Sequence, residues 1–197
     1  MFATSEQRTR YTLGMTPEQA RQLMEDWTQR PALRVHMECV AACMTAYAHK
    51  TDPDQADRWT VCGILHDFDY ENHPTQDEHP FVGVAELKKL GVDDEIRTAI
   101  LGHAEYSGTP RESAMARSLF AVDELAGFIV ACAKVRPEGI STLAPKSVKK
   151  KLKDKSFAAA VSRQDIAIGI EELGVDQTEH IQTCIDAIRA HAERLGV

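Results

Sequence analysis

Val61-Cys62-Gly63-Ile64-Leu65-His66-Asp67 runs a small, apolar stretch straight into a histidine and an aspartate. The stretch suits the end of a buried helix, where a polar group left without a partner costs about 2–7 kcal/mol. A bound cation would remove that cost. Further candidate ligands stand on both sides, so the order along the chain is His36, His66-Asp67, His79, His103, Asp123. Imidazoles mixed with carboxylates suit Mn, Fe, Zn, Ni or Co, whereas an oxygen-dominated set would suit Mg or Ca.

Around this stretch the sequence reads as all-α. Strand alternation and Asn-Gly or Asp-Gly hairpin turns do not recur, while helical spacing and helix punctuation do. Thr16-Pro17-Glu18-Gln19 combines an N-cap, a first-turn proline and a capping-box glutamine, predicting a helix to about Arg30. A second helix is predicted over 32–49, with His36 on the face of Cys39, Val40 and Cys43. Asp52-Pro53 opens a third that ends at His66-Asp67, and residues 68–78 read as a loop. Helices over 80–90, with Gly91 as its cap, 93–103, 111–135, 163–173 and 176–195 complete the expectation.

The 197 residues suffice for one domain with its own core. The expected division is a flexible arm over 1–15, a metal-binding helical domain over 16–140, and a basic segment with C-terminal helices over 141–197 packed on the same domain. A net charge of −7 disfavours nucleic acid and anionic membranes as partners. Five cysteines without a C-x-x-C pair read as reduced, cytoplasmic thiols filling the core, and no segment has the length of a signal peptide or membrane span.

The ordered ligand set resembles the HD-domain superfamily of metal-dependent phosphohydrolases, over about residues 32–130. The resemblance implies a helical bundle with a C-terminal helical extension. It makes His36, His66, Asp67 and Asp123 a minimal one-metal set, and His79-Pro80-x-x-Gly83 and His103 the extra histidines of two-metal branches. Asp67 would bridge two ions and act in catalysis; Asp69 or Glu71 would orient a histidine or serve as general acid. Two departures stand out. Many relatives carry a lysine three residues after the signature aspartate, where this chain has Tyr70, and no Gly-Tyr-Pro follows His103, which disfavours the cyclic-dinucleotide phosphodiesterase branch.

Phosphate recognition must then come from elsewhere. Residues 146–155 hold six lysines and one aspartate, a local charge of +5 in an acidic chain. Lys146, Lys149 and Lys150, together with Arg136 and Arg111, are therefore expected at the mouth of the metal site. His49, His73, His180 and His191 read as surface residues, and Trp27, Trp59, Phe81 and Phe120 as core. The expected activity is metal-activated hydrolysis of a small-molecule phosphate mono- or diester, a nucleotide above all. The alternatives are a non-hydrolytic regulatory or interaction protein that keeps its metal, and a di-iron oxygenase on the same fold. A homo-oligomer stays open.

Overall fold

Helix starts follow the sequence punctuation. In a computed structural model that describes residues 14–197, the N–H of Gln19 donates to the Thr16 hydroxyl and the Thr16 N–H to the Gln19 side chain, closing the expected capping box. It opens α1 (Pro17–Trp27), followed by α2 (Pro31–Thr51), α3 (Ala56–Leu65), α4 (Phe81–Lys89) and α5 (Asp94–His103). Then come α6 (Ala114–Lys134), α7 (Pro145–Leu152), α8 (Arg163–Leu173), α9 (Gln177–Arg189) and α10 (Ala192–Leu195). The described residues are all helix, turn and loop, without a strand, and none of these helices is long and apolar enough to cross a membrane. The arm expected over 1–15 lies outside the described residues except for Gly14 and Met15, and Met15 is buried.

Helices α2 and α6, each 21 residues long, pack against one another at the centre. Helix α3 lies on α2, α5 and α8 on α6, and α9 against both. Gly63 explains how close α3 comes: a Cβ there would meet Ala41 Cα at 2.5 Å, so no other residue fits without moving a backbone. The approach carries His66 up to the face of α2 that bears His36. Fully buried Ile64, Leu65, Leu119, Leu125 and Ile129 seal the seam, each worth about 1.5–3 kcal/mol of apolar burial.

Several boundaries differ from expectation. The third helix starts as a short 3-10 turn, Pro53–Gln55, and its regular part stops at Leu65, with His66 as C-cap. The basic run forms α7, because Pro145 starts a helix and Val148 and Leu152 give it an apolar side. The last predicted helix breaks after Arg189. Phe81 is corrected from core to surface at 39% exposure, whereas Trp59 and Phe120 are buried. His180 is corrected from surface to core at 1% exposure: it donates from Nε2 to the Ala121 carbonyl at 3.0 Å and accepts from the Tyr47 hydroxyl at Nδ1.

Candidate metal centre

Six side chains from helix ends and inward faces meet at one place. On one side, His36 Nε2 lies 3.0 Å from Asp123 Oδ1 and 3.2 Å from His66 Nε2, and His66 Nε2 lies 3.4 Å from Asp123 Oδ1. Asp67 Oδ2 closes this group at 3.7 and 3.6 Å from the two histidines. On the other side, His79 Nε2 and His103 Nε2 stand 3.2 Å apart, each 3.3 Å from Asp67 Oδ1. Asp67 thus turns one oxygen to each group.

The histidines are aimed by what holds their other nitrogens. His66 Nδ1 donates to the Gly63 carbonyl at 2.8 Å, His103 Nδ1 to Ile100 at 2.5 Å, and His79 Nδ1 to Asp69 Oδ1 at 2.7 Å. With a proton on Nδ1, a neutral imidazole presents only a lone pair at Nε2. The centre is then a buried set of acceptors facing acceptors, an arrangement that needs a cation. Donors bound at about 2.0–2.2 Å to one ion stand about 2.8–3.6 Å apart at octahedral or tetrahedral angles, which covers nearly all the separations found here. The residues therefore fit a divalent transition metal, and among the described residues His36, His66 and Asp67, and Asp67, His79 and His103, are the two groups able to hold one.

Without metal the electrostatics put protons in its place. Burial works against charge on His66, but the carboxylates of Asp67 and Asp123 override it and push this imidazole up to about 9. For His79, burial is likewise overridden by Asp67 and Asp69, and it too rises to about 9. Burial opposes ionisation of Asp67 and Asp123, and the facing histidines, His66 first, still hold both carboxyls well below the usual range.

Not every expected site residue joins. Asp69 is buried with both oxygens engaged, Oδ1 by His79 and Oδ2 by the Gly83 N–H at 2.7 Å, which suits it to orienting His79 and leaves neither oxygen free toward a substrate. Glu71 accepts from the N–H groups of Gln29 and Arg30. Arg111 reaches the Gly102 carbonyl beside His103, but its guanidinium is committed to Glu172 at 2.6 Å and Glu105 at 2.7 Å. Arg136, Lys146, Lys149 and Lys150 are corrected from the mouth of the site. Arg136 follows the end of α6, about 16 Å along the helix from Asp123, and donates to Thr142. Lys149 donates to Thr178 at the start of α9, and among the described residues none of the four makes a hydrogen bond or ion pair with the six converging side chains.

Sequence reasoning missed the aromatic surroundings of His79. Tyr70 sets its ring edge-on to His79 at 5.1 Å, and the Tyr106 hydroxyl donates to the His79 carbonyl at 3.0 Å. Both stay exposed, as does Phe81 two residues on. The glycine of His79-Pro80-x-x-Gly83 was the available signal for the rest, since a Cβ at Gly83 would meet Asp69 and Phe68 at 2.8 Å. The cysteines are corroborated as core: all five are buried and free, and burial pushes the Cys39 thiol up to about 12.

Residues 34–127 match the family model of the HD domain. The chain finds no match among curated proteins or solved structures. The matched span contains all six converging side chains, in the order read from the sequence. By that match and by this geometry, residues 34–127 of the chain are an HD domain.

Proposed function

We propose that the chain hydrolyses a phosphate mono- or diester of a small molecule, a nucleotide by preference, at a two-metal centre. The observation that carries this reading is the split of Asp67, one oxygen toward His36, His66 and Asp123 and the other toward His79 and His103. Divalent ions there would supply Lewis acidity toward a phosphoryl oxygen and lower the pKa of a bound water. Asp67 would be shared by the two ions, and Asp69 keeps His79 Nε2 turned inward. His36, Asp67 and Asp123 are each between 16% and 22% exposed at the side chain, so substrate reaches the centre from their side. Tyr70 and Tyr106 offer aromatic surface beside His79 on which a base can stack, a contact worth about 1–3 kcal/mol.

The test is elemental analysis of protein purified without added metal, then phosphate release from nucleotides with Mn, Co, Ni or Mg. Metal-dependent release that Asp67→Asn abolishes is expected. A metal-loaded protein that releases phosphate from no nucleotide or simple ester would overturn the reading. It would favour a non-hydrolytic metal-binding protein, to which Tyr70, standing where relatives carry a lysine, already points.

A further inference from the structure

The basic residues absent from the metal centre converge elsewhere. At the C-terminal end of α6, Cys132, Val135 and Leu143 line a groove of about 320 Å³ together with Arg136, Lys150 and Lys151. Val135 is 61% exposed, the largest value among the exposed large apolar side chains of the described residues. Arg136 Nε is buried without a hydrogen-bond partner among the described residues, although Nη2 donates to Thr142. A buried charged donor left unpaired costs more than the roughly 1–3 kcal/mol of a neutral one.

Charge in the groove is only partly compensated, with Lys151 Nζ 4.4 Å from the centroid of the Phe157 ring. Asp154 is the one acidic side chain lining it, which leaves three cations against one carboxylate, a balance of +2 in a chain of −7. That carboxylate is engaged by the N–H and hydroxyl of Ser156 at 3.1 and 2.7 Å. Among the described residues the ion pairs are made elsewhere, by Arg21, Arg58, Lys89, Arg97, Arg111, Arg189, Arg194 and histidines, with none of the lysines of 146–155 taking part. A solvated helix face would need no exposed apolar side chain such as Val135 among its cations.

We propose that this groove is a second binding site, separate from the metal centre, for a small organic phosphate. Arg136, Lys150 and Lys151 take the phosphate, Arg136 as a planar donor and the lysines as point charges. Val135 and Leu143 take the apolar body. Because α6 runs without a break from Asp123 to the groove, the ligand would sit on the same helix that supplies a metal-centre carboxylate.

Phenylphosphonate, which has no ester bond to hydrolyse, is the probe for titration calorimetry on the full chain, both metal-loaded and chelator-treated. Saturable binding is expected in both, retained by Asp67→Asn. It should weaken about tenfold or more in Lys150→Ala/Lys151→Ala, the loss of a charged hydrogen bond. Lys150→Glu, at an exposed position, should weaken it further with an unchanged circular dichroism spectrum. Methylphosphonate should bind less tightly than the phenyl compound. Binding that vanishes on chelation and survives in the lysine variants would place the anion at the metal centre and overturn the proposal. So would the absence of saturable binding, or equal affinity for the two probes.

Discussion

His79 Nδ1 donates to Asp69 Oδ1 at 2.7 Å, and this contact orients one wall of the metal centre from a carboxylate that touches none of the Nε2 atoms. In Asp69→Asn one amide edge must face either His79 Nδ1–H or the Gly83 N–H, donor against donor. Affinity at the His79–His103 position should fall about 10–100-fold, while the His36–His66–Asp123 position keeps its ion. Metal titration followed by elemental analysis reads this as a stoichiometry dropping from two toward one. Loss of both ions together would show that Asp69 supports the whole fold instead.

Gly83→Ala should act on the same carboxylate from the other side. The added methyl meets Asp69 and Phe68 at 2.8 Å, both buried, so one of them must move. Overpacking of this kind costs about 1–3 kcal/mol. Chemical denaturation should give a lower midpoint with an unchanged slope, and metal content should fall as in Asp69→Asn.

The metal-free protein should lose stability on the alkaline side. His66 and His79 are raised in the folded state to about 9 from about 6.5 in the unfolded chain. A raised folded value stabilises fully below about pH 6.5, and that contribution is lost as pH rises through about 9. Tm of chelator-treated protein should therefore decline across that window. Saturating metal, taking the place of the protons, should flatten the decline; a Tm that climbs from pH 6.5 to 9 after chelation contradicts the assignment.

Tyr47→Phe tests the other buried histidine. It removes the hydroxyl that donates to His180 Nδ1 and leaves that nitrogen buried without a donor. A loss of about 1–3 kcal/mol is expected, with metal content unaffected, because His180 faces α2 and α6 away from the ligands.

How much of this was legible follows from what local chemistry encodes. The capping box at Thr16, the Asp93 cap and the left-handed Gly91 and Gly174 lie within four residues of what they terminate, so the helices could be read directly. The six converging side chains were legible through their order, since each sits at a helix end or on an inward face. The place of the lysine run was not, because net charge says an anion would need help but not where α7 docks. Phe81 failed for a related reason: helical spacing puts it on a face, and only the turn at Pro80 decides that this face meets solvent. Asp69 looked like any loop carboxylate until Gly83, fourteen residues on, closed over it.

One consequence of the divided Asp67 concerns supply. On the proposed two-metal reading, two cations sharing the Asp67 carboxylate are not acquired independently, because the first arrival uses part of the attraction that would draw the second. Filling should proceed in two stages separated in free-metal concentration. Between them lies a range in which the protein carries one ion and lacks the paired centre on which the proposed hydrolysis depends, so activity would report metal abundance with a threshold.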